Sequence, residues 1–376
     1  MGWKQEIWPE WEIEEDIGAG AYGTVYRIKR QDIGGTYYAA LKVISFPCKK
    51  NEVETFHRKS MTDGQISEYY HHMALEIAQE VAVMERLKGH TNIVSYEDHK
   101  IVSHKHDPGW DVLIRMELLS SLPDYLETHE IDEKEVCKLG MDICNALMLC
   151  EKEHIIHRDI KPGNIFVSDF GDYKLGDFSL AKYTKLLSEQ SEPQGTYSYM
   201  APEVLKNQKY DATIDIYSLG LILYRLLNRG RGPFQPLPPQ KVTTDISEQA
   251  NRKRLCTENI PKPVDASALM AQVILKACAF YPEKRYRNAD ELRKALVRCS
   301  SSQNAIQATR QISYYLKKAA TVLQDSYENF CGESELESEK LYDGENDNEE
   351  RKGQDAGKNK ESGRNMNDFF STAGDL

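Results

Sequence analysis

One stretch, His157-Arg158-Asp159-Ile160-Lys161-Pro162-Gly163-Asn164, constrains this chain more than any other. It sets a carboxylate, an ammonium and an amide within eight residues, after a helix-like segment and ahead of an apolar run. Few chemistries need that trio on one loop. Transfer of a phosphoryl group does: a carboxylate accepts a hydroxyl proton, a cation meets the migrating phosphate, and an oxygen ligand holds magnesium. A chain built for this chemistry also needs a glycine loop over the phosphates, a lysine on a strand and a second metal-binding aspartate. The first two precede the stretch here, and the aspartate follows it.

The glycine loop is Gly18-Ala19-Gly20-Ala21-Tyr22-Gly23-Thr24-Val25. Its G-x-G-x-x-G spacing also opens dinucleotide-binding folds, where it leads straight into a helix. Here the strand-like Thr24-Val25-Tyr26-Arg27-Ile28 follows, so a hairpin is expected whose backbone can lie close over a triphosphate. Further on, Ala39-Ala40-Leu41-Lys42-Val43-Ile44 places a lysine inside an apolar strand. Burying that ammonium is costly without an anion beside it. The ordinary alternative is an edge lysine that snorkels to water. Residues 74 to 87 carry a helical stripe, and this helix offers Glu76 and Glu80. The two are four apart on one face, so periodicity does not choose between them.

Residues 11 to about 120 read as strands with one helix, and beyond 125 the chain is mostly helical. That segregation predicts an α+β fold of two lobes, not an alternating βα sheet. Residues 46 to 73 form a long polar connection holding His57, His71 and His72, expected as a functional or disordered loop. The adjacency of His71 and His72 argues against a metal site, which favours i, i+4 spacing on a helix. Residues 214 to 227 are apolar nearly all round, which predicts a helix buried in the second lobe. Pro233 to Pro239 reads as a stiff interhelix loop in preference to a P-x-x-P ligand.

In the segment 304 to 330, Ile312, Tyr315, Leu316, Ala319, Leu323 and Tyr327 recur at helical spacing. This amphipathic helix is read as packing on the preceding domain, with a partner or dimer contact as the alternative. Residues 333 to 376 carry 13 acidic and 6 basic side chains and almost no aliphatics. Such a tail buries too little surface to offset its ordering entropy and is expected to be disordered. Its Asn367-Asp368-Phe369-Phe370 is a weak docking signal.

The chain has 376 residues and a net charge of -11. That balance argues against non-specific nucleic-acid binding and against docking on anionic membranes. No stretch approaches 18 uncharged apolar residues, so no membrane span is expected. The N-terminus lacks a signal pattern, and Glu6 stands where myristoylation after Met1-Gly2 wants Ser or Thr. Eight cysteines without a C-x-x-C pair read as core thiols in a reducing compartment, hence a cytoplasmic location.

Taken in order, these motifs resemble the protein kinase family, of the eukaryotic (Hanks) type and in the style of a soluble bacterial member. Beyond the loop, the A-x-K strand and H-R-D-x-K-x-x-N stand Asp177-Phe178-Ser179 and Gly195-Thr196-Tyr197-Ser198-Tyr199-Met200-Ala201-Pro202-Glu203. Asp215-Ile216-Tyr217-Ser218-Leu219-Gly220 then opens a helix. The resemblance covers residues 11 to about 299, with an N-lobe of 11–118, a C-lobe of 119–299, an insert at 46–73 and an N-terminal extension of 1–10.

The resemblance implies the following roles. The family's spacing to an H-x-N-I-V segment, here His90-Thr91-Asn92-Ile93-Val94, selects Glu80 as the partner of Lys42, which would hold the α- and β-phosphates. Asp159 would orient and deprotonate the substrate hydroxyl, Lys161 would stabilise the γ-phosphoryl, and Asn164 and Asp177 would hold magnesium. Ile17, Val25 and Ala40 would sandwich the adenine of ATP. Met116 falls at the gatekeeper position before the hinge Glu117-Leu118-Leu119. Thr196, together with Lys161, would mark Ser/Thr specificity and protein substrates. Glu203 with Arg285, and Asp215 capping backbone near His157, would be structural.

Two features qualify that picture. Ser179 stands where the family has glycine, which narrows backbone freedom; the expectation is a bias toward the metal-competent arrangement with activity intact. The alternative is a pseudokinase or scaffold module with weak turnover. Arg158 before the catalytic aspartate predicts that a phosphate on Thr184, Ser188 or Ser191 would order the activation segment, with Lys182 assisting.

Overall fold

In the computed structural model the described residues are 8–20, 23–47, 51–178, 196–256 and 259–302, with helical positions 309, 311–318 and 321. Side chains of residues 19, 20, 79, 80, 82 and 196 are not among those described. The chain divides into two units, residues 1–307 and 308–376.

The first unit begins with five antiparallel strands in the order β1-β2-β3-β5-β4: β1 (Glu12–Gly20), β2 (Gly23–Asp32), β3 (Gly35–Phe46), β4 (Tyr96–Ser103) and β5 (Trp110–Met116). The run Ala39 to Phe46 is apolar on both faces, save Lys42 and Ser45, because both are covered. Ile44 and Phe46, with Val112 and Ile114 of β5, pack in one cluster with the helix between β3 and β4. Ala39, Leu41, Val43 and Leu113 point the other way, as the two-residue period of a strand requires, and pack with Trp8 and Trp11. Trp8 donates its indole N–H to Asp98 at 2.7 Å. Arg115 lies over both indoles, at 4.8 and 5.0 Å. The end of the supposed N-terminal extension is therefore part of the sheet's second core.

The connection after β3 is helical. Helix α1 (Glu52–Arg58) leads to α2 (Asp63–Arg86), which starts eleven residues before the boundary read from sequence. Thr62 and Gln65 form a reciprocal capping box at its start. Ile66 and Tyr70 then extend the buried stripe of Ala74, Ile77, Val81 and Met84. Phe56 of α1 packs against Tyr69 and Tyr70. Trp110 of β5 stacks on His71 at 4.0 Å and donates to Ser67 at 3.0 Å.

The second lobe holds α3 (Leu122–Thr128), α4 (Glu133–Lys152), α5 (Pro202–Leu205), α6 (Thr213–Leu226), α7 (Thr244–Cys256), α8 (Ala268–Ala277) and α9 (289–302). A small sheet of β6 (Ser120–Ser121), β7 (Ile165–Val167) and β8 (Tyr173–Leu175) lies near the junction of the lobes. Helix α6 is buried from Thr213 through Tyr224, as its all-round apolar character predicts. The fold is thus bilobal α+β, as the order of motifs implied.

In the second unit, residues 311–318 are helical, here α10. The rest of the 304–330 stripe and the acidic tail lie outside the described residues. No helix among the described residues is long and apolar enough to cross a membrane.

Candidate active site

The glycine loop is a hairpin, as its flanks predicted: Gly18 faces Val25, Ala19 faces Thr24 and Gly20 faces Gly23 across β1 and β2. Gly23 has φ of 141°, and a Cβ there would meet the Val43 carbonyl oxygen at 2.1 Å. Glycine is needed at this position for both reasons. Ala21 and Tyr22, at the tip, lie outside the described residues. Ile17, on β1, is 43% exposed beside the loop. Ala40 pairs across the sheet with Met116, and Val25 with Lys42. The adenine-site candidates therefore lie on adjoining strands that run toward the lobe junction, where Glu117 to Leu119 leave the sheet.

Glu117 also joins two elements. Its carboxylate accepts from the Ser95 backbone N–H at 2.5 Å and takes both oxygens to Lys174 Nζ at 2.8 Å. This fastens the end of β5 to β8. Neither Lys174 nor Ser95 carries a motif, so sequence reasoning gave no reason to select them.

Lys42 is buried and does not snorkel: its Nζ meets Asp177 Oδ1 at 2.5 Å. Helix α2 carries Glu80, whose side chain is outside those described. Burial pushes the Asp177 carboxyl up, but the Lys42 ammonium and its hydrogen bond outweigh that, with His157 and Lys161 adding to them. The group is held below the ordinary carboxylate range and stays charged at neutral pH.

Asp159 forms the second centre. Lys161 Nζ donates to its Oδ2 at 2.7 Å. The Asn164 amide donates to the same Oδ2 at 3.0 Å and to the Asp159 main-chain oxygen at 2.7 Å. Asn164 thus spends its side-chain N–H groups on Asp159, so its side-chain oxygen Oδ1 is the atom that would face a metal. Asp159 Oδ1 is buried with no hydrogen-bond partner among the described residues. An unpartnered buried carboxylate oxygen is costly and marks a place where an external donor belongs.

The two centres are held together by backbone. Gly176 donates to the Asn164 carbonyl at 2.9 Å, and the His157 ring bonds the Gly176 carbonyl at 3.0 Å. The same ring meets Phe178 edge-on at 4.8 Å. Asp215 accepts from the backbone N–H of His157 at 2.7 Å and of Arg158 at 2.9 Å, the cap expected of it. Burial drives the Asp215 carboxyl above its usual range, against the pull of His157 and these donors. Arg158 and Asp177 both hold positive φ, 66° and 62°. Such backbone persists only where neighbours over-determine it, and these two positions lie at the candidate catalytic side chains.

Glu203 and Arg285 form a two-pronged buried pair at 2.6 and 2.8 Å, as expected. Thr196 opens a short turn, Thr196–Ser198; its side chain is not described. Ser179, Lys182, Thr184, Ser188 and Ser191 lie outside the described residues.

The donor set fits magnesium and a triphosphate. One carboxylate and one amide oxygen are hard ligands that leave positions for phosphate oxygens and water, and two lysines stand by for the remaining negative charge.

Residues 11–296 match the family model described as protein kinase domain. Among curated relatives, the chain is 25% identical to serine/threonine-protein kinase STY17 of Arabidopsis thaliana, over 67% of this chain and 41% of that protein. It is 34% identical to serine/threonine-protein kinase PknB of Mycobacterium leprae, over 45% and 27%, and 26% identical to Aurora kinase C of Mus musculus, over 77% and 92%. The chain spans 21% to 62% of the first relatives it matches. With the fold, the ordered motifs and a family match over most of its length, this chain belongs to the protein kinase domain family.

Proposed function

We propose that the chain is a Ser/Thr protein kinase that moves the γ-phosphoryl group of Mg-ATP to Ser and Thr hydroxyls of proteins, itself included. One observation carries the reading. Lys42 with Asp177 and Lys161 with Asp159 and Asn164 are two bonded sets joined through Gly176, and Asp159 Oδ1 is buried without a donor among the described residues.

In this reading the substrate hydroxyl donates to Asp159 Oδ1. Its oxygen attacks the γ-phosphorus while the proton passes to the carboxylate. The bond from that phosphorus to the β–γ bridging oxygen breaks, and ADP leaves with the electron pair. Lys161 faces the charge that spreads over the γ-oxygens, and Lys42, steadied by Glu80, holds the α- and β-phosphates. Asn164 and Asp177 would hold magnesium, which would neutralise charge on the phosphates when bound. Gly18 to Val25 would cover the phosphates, with Ile17, Val25, Ala40 and Met116 around the adenine and the backbone of Glu117 and Leu119 along its edge. The choice of Ser/Thr is supported by Lys161, by Thr196 in its motif, and by the similarity to two serine/threonine-protein kinases.

The test is ATP turnover by the full chain with labelled nucleotide, against Asp159→Asn. A positioned general base contributes about 10²–10⁴-fold. Phosphoryl transfer to protein should fall at least 100-fold in the variant, while binding of a fluorescent ATP analogue is kept. Equal transfer by both forms would refute the role of Asp159.

A further inference from the structure

Helix α7 is polar along most of its length and buries just Ala250 and Arg254. Arg254 is 1% exposed and heads the fully buried large side chains. A guanidinium so placed must be hydrogen-bonded, and its two terminal nitrogens are, while its Nε has no partner among the described residues. One arm donates to the Met200 carbonyl and to the Tyr217 hydroxyl, each at 2.8 Å. The other donates to the Tyr197 carbonyl at 3.0 Å. Between these two carbonyls, that of Tyr199 accepts from Ser218 of α6 at 2.9 Å, and Arg225 lies over the Tyr199 ring at 4.9 Å.

The segment following Thr196 is therefore gripped from behind. Its carbonyls at 197 and 200 belong to α7, and the one at 199 to α6. Residues 197 to 200 are themselves half-buried, so the loop keeps part of its surface open to solvent. We propose that Arg254 is a positioning residue for the protein substrate, fixing the loop 197–200, and with it the neighbouring Thr196, to helix α7. The helix has little apolar face of its own, so it and the loop move as one body. This deepens the protein-kinase reading and rests on it. Lysine cannot replace the fork, because one ammonium does not reach two carbonyls and a hydroxyl in a fixed plane.

The full chain is compared with Arg254→Met and Arg254→Lys, using myelin basic protein and ATP as the two varied substrates. Arg254→Met should raise KM for the protein at least tenfold and leave KM for ATP within twofold, with Arg254→Lys between. In the same samples, amide exchange across 197–201 should quicken at least tenfold in Arg254→Met, while α6 keeps its protection. If Arg254→Met does not fold, Tyr217→Phe removes one acceptor and leaves the guanidinium; a two- to fivefold rise in the protein KM is expected. A protein KM within twofold, in a folded variant whose loop exchanges faster, overturns the positioning role. Unchanged loop exchange overturns the coupling itself. Should the unmodified chain phosphorylate neither the added protein nor itself, the kinase reading fails, and the exchange comparison still decides whether Arg254 holds the loop.

Discussion

At the level of single residues, Lys42 is the informative case. An apolar strand with one lysine admits a surface reading and a buried one, and sequence left both standing. Burial with Asp177 decides for the second. The pair also has a sign in pH. The Asp177 carboxyl is held below its ordinary range, so its contribution to stability is complete above the unfolded value of about 3.9 and fades as pH falls through the folded one. Lys42→Met leaves the carboxylate partly buried without its cation. Removing one partner of a buried pair costs about 3–5 kcal/mol, and the 22% exposure of the Asp177 side chain argues for the lower figure or less, about 1–3 kcal/mol. Urea unfolding at pH 7 should show that loss, and the gap between the two proteins should narrow as pH falls below the ordinary carboxylate range. A difference that is flat with pH would mean that Asp177 is not the group released. Residues of this kind were legible because their chemistry is unusual for their surroundings. Lys174, Ser95 and Arg254 were not: each is an ordinary polar residue whose role comes from a contact far away in the chain.

Elements were legible in proportion to how far their burial repeats. The hairpin of β1 and β2 and the all-round apolar α6 follow from local pattern. Helix α2 reaches further than its local pattern indicates, because polar residues between Asp63 and His72 hide a stripe that needs just Ile66 and Tyr70 to continue. The Thr62–Gln65 box was available as a start signal, with Gly64 inside it weakening the helical case. The consequence can be measured. Were residues 63–73 a surface loop, Ile66→Ala would change stability little. Ile66 is fully buried, so the substitution should cost about 2–4 kcal/mol, in the range for large-to-small changes in a core. Glu68→Ala, exposed on the same helix, should stay within about 0.5 kcal/mol. Equal midpoints in urea for these two variants would count against the extended helix. The same turns carry Ser67 and His71 to Trp110, so the insert ties the helix bearing Glu80 to β5. The tryptophans at 8 and 11 were missed for the converse reason: nothing local says which face of a sheet an N-terminal segment will cover.

For the whole molecule, the change from strands to helices along the chain was enough to foresee two lobes, since segregated elements cannot interleave in one sheet. What fixes the second lobe is non-local. Arg285 joins Glu203 across 82 positions of sequence and also donates to the carbonyls of Ala279, Thr213 and Phe280. One guanidinium thus binds the start of α5, the start of α6 and the turn after α8. The side chains of Arg285 and Glu203 are 0% and 5% exposed, so neither charge has water to fall back on. Arg285→Met should therefore cost about 3–5 kcal/mol, mostly from the carboxylate left behind. At roughly 2–4 °C per kcal/mol for a domain of this order, the melting point should drop by about 10 °C. If the cost is the stranded charge, Glu203→Leu added to Arg285→Met should recover more than half of it. The recovery cannot be complete, because three carbonyls still lose their donor. A double variant no more stable than Arg285→Met would move the cost from the charge to those carbonyls, and Arg285 would then hold the lobe through its backbone contacts.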